Sequence, residues 1–219
     1  MTDYLGPKFD NETIANELRR GGIVATRLND TCKTAAQVIA NGHIIGWFQG
    51  RAELGPRALG NRSILCDPRR ADMKDVLNAR VKFREPFRPF APSITEEACA
   101  TYFDSNGVRS PFMILVFNTR TEHLTTLPSV THVDGGARVQ TVSAEQNARY
   151  HELISRVGQH TGVPCVLNTS FNVRGEPIVN TPSDALRCFF TTDMDALFLG
   201  DFLVTKTPEL HRQYQEIDS

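Results

Sequence analysis

Apolar positions along the chain recur with two periods. In DNETIANELRRGG, Ile14 and Leu18 fall one helical turn apart, Asp10 or Asn11 can cap the start, and Gly21-Gly22 end the run. TCKTAAQVIANG predicts a second helix closed by Gly42, and ADMKDVLNARV a third. Ser143 and Gln146 form a capping box for a longer helix whose Tyr150, Leu153, Ile154 and Val157 share a face, stopped by Gly162. TPSDALRCFF predicts another, with Thr181 as cap and Pro182 at its first position. HIIGWF, FMILVFN, ARVQTV, VPCVLNTSF and ALFLGDFLV predict strands.

Strands alternating with helices predict an α/β (α+β) architecture, a sheet with helices packed against it, in a single domain over residues 1–219. Three junctions are unusually polar: Gln49–Ser63, Lys82–Pro92 and Asn168–Pro177. Such strand-to-loop junctions are where these sheets hold ligands. Asp104–Asn106, Thr119–His132 and Asp134–Gly136 read as surface loops.

Hydrophobic residues make up 40% and charged residues 22%, as in ordinary globular proteins. No apolar run suits a membrane span, and MTDYLGPKFD lacks the features of a secretory signal. Five scattered cysteines without a CxxC pair read as reduced packing thiols, so a cytoplasmic location is expected. Net charge is −1, which argues against bulk nucleic-acid binding. The charge is uneven, however. Arg51 to Arg88 hold ten basic against five acidic residues. That block suits either a local anionic ligand or an ion-paired solvated face.

Within it, QGRAELGPRALGNRSIL places Arg51, Arg57 and Arg62 on a stretch broken by Gly50, Gly55, Pro56 and Gly60, with Glu53 available to pair with one arginine. Guanidinium offers a planar fork to phosphate or carboxylate oxygens, so this stretch is a ligand loop or an interface. In VKFREPFRPFAPS, Lys82, Arg84 and Arg88 would share one side of a proline-stiffened extended segment, with Phe83 and Phe87 opposite. That is either an oxyanion cradle or a charged edge. NTSFNVRGEP offers Asn168, Thr169, Ser170 and Asn172, whose amides and hydroxyls can meet phosphate or ribose oxygens or simply build a turn. Arg138 leads into an apolar strand and needs a partner, an internal carboxylate or a bound anion.

GxxxxGK[ST], GxGxxG, HExxH and GxSxG are all absent, and the histidines lack zinc spacing. No metal ligands are assigned. The implied site is rich in cations and suits stabilisation of charge on a transferring group.

GRAELGPRALGNRSIL, the VKFREPFRPFAPS run, ARVQTV and LNTSFNVRGEPIVNTPSDA, in this order, resemble the C-terminal domain of the O-carbamoyltransferases of the nodulation-protein-U and antibiotic type, over roughly residues 5 to 205. The resemblance implies a YrdC-like fold, an open twisted mixed sheet with flanking helices, whose SxNxxGxP signature is read at Ser170, Asn172, Gly175 and Pro177. It also implies that the domain takes carbamoyl phosphate and ATP and forms carbamoyl-adenylate with loss of pyrophosphate. An N-terminal actin-like domain, which holds the metal-binding histidines, then passes the carbamoyl group to an acceptor hydroxyl. On this basis Lys82, Arg88, Arg138 and Ser170 carry the chemistry, Arg84, Asn168, Thr169 and Asn172 complete the substrate contacts, and Arg51, Arg57 and Arg62 form a wall or interface. Mg²⁺ would arrive with ATP. Family members run to more than twice this length, so the chain is expected to be an excised domain or a stand-alone version with a separate partner, unable to complete transfer alone.

Two other readings compete. One is a non-catalytic anion-binding or docking module for a carbamoyltransferase partner. The other is RNA binding, which the net charge and the lack of aromatic stacking runs disfavour.

Overall fold

The computed structural model describes residues 4–85 and 88–218. Helix α1 (Asn11–Arg20) starts where Asp10 accepts the Thr13 amide and ends at Gly21. Strand β1 (Ala25–Arg27) precedes α2 (Thr31–Ala40), capped by Asp30. Then follow β2 (Ile45–Phe48), β3 (Arg62–Cys66), α3 (Met73–Leu77), β4 (Ala91–Thr95), α4 (Glu96–Tyr102) and β5 (Val116–Asn118). The chain continues through β6 (Gly136–Arg138), β7 (Gln140–Val142), α5 (Ala148–Thr161), β8 (Cys165–Ser170), α6 (Pro182–Phe190), β9 (Ala196–Leu199), β10 (Phe202–Thr205) and α7 (Pro208–Asp218).

Eight strands form one mixed sheet in the order β1-β10-β9-β2-β3-β8-β4-β7, and β5 and β6 form a separate ribbon. Among the described residues, only β2–β9 and β4–β7 run parallel. Alternation along the strands sends side chains to two cores. Ile45, Trp47 and Leu65 pack with Tyr150, Leu153 and Val157 of α5. Phe48, Ile64 and Cys66 pack with Leu77 of α3 and with Leu186 and Phe189 of α6. The result is a mixed sheet between two helical layers, as the sequence predicts. Among the described residues, no helix is long and apolar enough to cross a membrane.

Several local expectations change. ARVQTV is two strands in two sheets, parted at Val139. ALFLGDFLV is a hairpin, because Gly200 takes φ +57 and turns the chain back. Only the last three residues of FMILVFN pair. The α5 cap is Asn147, whose side chain accepts the Tyr150 amide, while Ser143 and Gln146 bond to each other in the preceding turn. The third helix stops at Leu77 and runs on as a π-helical turn, Asn78–Lys82. The expected surface loop Thr119–His132 contains a 3₁₀ turn, Thr121–His123.

Candidate functional site: a cation-lined cavity at the end of strand β8

Four segments converge beside the end of β8. They are the β2–β3 connection, the turn after α3, the β5–β6 ribbon and the loop Phe171–Pro177. Pro56, Arg57, Arg84, Arg88, Arg138 and Asn168 contribute to the walls of a cavity of 190 Å³, which Thr169 and Ser170 also line. A second cavity of 170 Å³ shares Arg84, Arg88 and Ser170 and adds Lys82, Asn172 and Arg174. The structure therefore brings together every residue of the expected substrate contact set. Phe87 lies outside the described residues.

The way it does so differs from a straight extended segment. Lys82 closes the π-helical turn, and Phe83 adopts a left-handed conformation with φ +48. That turn buries Lys82 and leaves Phe83 52% exposed. Lys82, Arg84 and Arg88 still face one cavity, but the turn brings them there, not the two-residue period of a strand.

Lys82 is 3% exposed. Its ammonium donates to the Ser170 carbonyl, to the Asn172 carbonyl at 3.0 Å and to Asn172 Oδ1 at 2.9 Å. Ser170 Oγ donates to Asn172 Oδ1 at 2.7 Å, and Asn172 Nδ2 to the Glu176 carbonyl. Lys82 thus fixes the polar loop after β8. Burial, reinforced by Arg84 and then Arg88, pulls its pKa down to about 7.

The other cations are short of counter-charge. Among the described residues, Arg57, Arg88 and Arg138 make no ion pair and no side-chain hydrogen bond, and Arg138 Nε is buried without a partner. The carboxylate partner allowed for Arg138 is therefore not found among them. Burial and the charge of Arg57 lower the Arg138 pKa, and burial with Arg88 lowers that of Arg84. Arg84 bonds to Asn78 Oδ1 and lies over the Phe90 ring at 4.4 Å. Like charges held this close disfavour one another unless an anion lies between them.

Asn168 supplies the contrasting group. Its Nδ2 donates to the Ala58 carbonyl, Ser93 Oγ and Gln140 Oε1 at 3.0–3.1 Å. The Ala58 carbonyl can only accept, so the amide orientation is fixed and Oδ1 is left buried without a partner. Asn168 Oδ1 is thus a buried acceptor without a partner in a residue of the cavity wall. Gln140 and Ser93, which lock this amide, carry no motif. Their signal is a polar residue at a buried strand position. Arg174, in the second cavity and paired with Glu85 at 3.0 Å, was equally silent in the sequence.

The three arginines of the β2–β3 connection separate. Arg57 faces the cavity. Arg51 is exposed and donates to the Leu5 carbonyl at 3.1 Å. Arg62 is 1% exposed, stacks on the Phe48 ring at 3.7 Å and donates to the carbonyls of Gln49, Gly50, Asn61 and Pro7. It ties the chain together from inside. Glu53 pairs with no arginine. Its carboxylate accepts backbone amides instead.

With the ordered motifs placed around one cavity, comparison with known proteins decides the family. Residues 36–206 match the carbamoyltransferase C-terminus. The chain belongs to that family. It is 49% identical over 211 residues to nodulation protein NolO of Bradyrhizobium diazoefficiens, covering 94% of this chain and 38% of that protein. Over 163 residues it is 39% identical to the 3'-hydroxymethylcephem-O-carbamoyltransferase of Amycolatopsis lactamdurans, covering 74% and 31%. Among solved structures, T. kodakarensis HypF aligns with a TM-score of 0.51 at 20% identity, over 73% of this chain and 19% of that one, a likeness of fold. The carbamoyltransferase C-terminal chain described here spans 38% or less of the length of the first three curated relatives.

Proposed function

We propose that this domain binds carbamoyl phosphate and ATP in the cation-lined cavity and forms carbamoyl-adenylate. The observation that carries the reading is the convergence of Arg57, Arg88 and Arg138, none in an ion pair among the described residues, on one cavity at the end of β8. Two anionic substrates repel each other, and fixed guanidiniums offset that repulsion and hold the groups in line. Atom balance requires the carbamate oxygen to leave its phosphate, with water supplying the replacement oxygen. Inorganic phosphate departs with the water oxygen, and an oxygen of the carbamate so released attacks the α-phosphorus of ATP and expels pyrophosphate. The wall is built of cations and amides, so Mg²⁺ fits as an ion brought by the ATP phosphates and not as one held by these residues. The carbamoyl group would then pass to a hydroxyl acceptor on a companion actin-like domain, in the same chain or a separate one.

The test is ATP–pyrophosphate exchange with carbamate supplied by carbamoyl phosphate, alongside calorimetry with each substrate. Exchange that depends on carbamoyl phosphate supports the reading. Folded protein that binds neither carbamoyl phosphate nor ATP removes it.

A further inference from the structure

The β2–β3 connection has two unequal limbs. The far limb, Ala58 to Arg62, is fastened to the body through its backbone. The Ala58 carbonyl accepts from Asn168, the Leu59 carbonyl from Gln140 and Tyr4, and the Gly60 carbonyl from Trp47. Gly60, at φ +106, lies so close to the Tyr150 ring that a Cβ there would be 2.1 Å from it. The near limb, Leu54 to Arg57, carries the cation that reaches the cavity. Leu54 is 57% exposed, and neither Gly55 nor Arg57 bonds to any described residue.

One group joins the limbs. Glu53 Oε1 accepts the amides of Leu59 at 2.7 Å, Asn61 at 2.7 Å and Arg62 at 3.3 Å. Three amides on one carboxylate oxygen close a loop with Gly55-Pro56-Arg57 inside it. Gly55 sits at φ +106, and the ring of Pro56 fixes its own φ, so little freedom remains between the anchor and Arg57.

We propose that Glu53 is a positioning residue for the anion cavity: its carboxylate fastens the near limb to the far limb and so holds Arg57 over the bound phosphate. This rests on the anion-binding reading above. The sign of the effect sets it apart from simple charge. By Coulomb attraction alone, removing a carboxylate beside a cationic cavity would tighten anion binding. Loss of the anchor weakens it instead. The three amides need an acceptor and not a charge, so glutamine is the conservative replacement.

The experiment titrates inorganic phosphate into the wild-type chain and into Glu53→Ala, Glu53→Asp, Glu53→Gln, Arg57→Ala and the Glu53→Ala/Arg57→Ala double variant. Amide exchange at Leu59, Asn61 and Arg62 is followed by NMR. Glu53→Ala should lose roughly tenfold to a hundredfold in phosphate affinity. The double variant should be no weaker than Arg57→Ala alone. Glu53→Gln should stay near wild type, and the three amides should exchange faster only in the alanine and aspartate variants. Glu53→Asp keeps the charge on a shorter stem and gives the same answer should the alanine variant not fold. Unchanged or tighter binding in these variants, or additive losses in the double variant, overturns the proposal. A wild-type chain that takes up no phosphate overturns the anion reading itself. The exchange rates then decide alone whether Glu53 is the anchor.

Discussion

Burial and the guanidiniums of Arg84 and Arg88 hold the pKa of the Lys82 ammonium down to about 7, against its ordinary 10.5. Between those values the unfolded chain keeps a proton that the folded protein lacks, so this residue makes stability rise with pH across that window. Below about 7 both states are charged and its destabilising effect is fully present. Urea denaturation at about pH 6.5 and about pH 9.5 should therefore show wild type gaining on Lys82→Met as the pH rises. Parallel curves would contradict the buried, depressed ammonium. Arg138 leads to an expectation of another kind. Arg138→Gln removes a half-buried cation without a described partner, so the melting temperature should hold or rise slightly, while phosphate affinity should fall roughly tenfold or more. A melting point that drops with affinity unchanged would make Arg138 structural. The sequence showed Lys82, Arg84, Arg88, Arg138 and the Asn168–Asn172 run because charge and amide groups beside prolines and glycines stand out. The anchoring roles of Glu53 and Arg62 were not visible there. Their partners are backbone amides and carbonyls, which leave no trace in a pattern of side chains.

Elements with a strong period and a clear stop were legible. The helices α1, α2 and α6 fall within one or two residues of their predicted ends, α5 stops at Gly162 as expected but starts four residues after the predicted Ser143 cap, and the expected Thr181 cap of α6 is closed into a capping box by Asp184. Cap identity was harder, because Ser143 and Asn147 both precede α5 and only the turn geometry chooses between them. Asn147→Ala should cost about 1 kcal/mol of stability. Ser143→Ala should cost less than half of that, and chemical denaturation of the two variants checks the order. The strands β3 and β4 escaped notice for a physical reason. Each is short, and each adjoins a polar junction, β3 opening on an arginine and β4 holding Pro92, so neither shows a clean period. The break at Val139 was equally hidden. It lets one apolar run serve two sheets, placing Arg138 on the ribbon, where it lines the cavity, and Gln140 on the main sheet, where it accepts from Asn168 of the same wall.

At the scale of the molecule, the cavity gathers residues from Arg57 to Asn172, so no fragment of the sequence contains the site. The strand order has a further consequence, in time and not in space. Ala25 pairs with Val204, and Ile45 with Ala196, so an edge ladder and an inner ladder of the sheet wait for the last quarter of the chain. Until β8 and β9 emerge from the ribosome, the β2–β3 hairpin has two open edges, a surface that invites pairing with other nascent chains. Closing such distant contacts is slow, so refolding from urea should take milliseconds to seconds, not microseconds, in stopped-flow fluorescence of Trp47. A chain cut after Gly162 should show no cooperative unfolding transition. The anion cavity is then a late part of the molecule to exist, because its floor arrives with β8 and its ordering loop only after that.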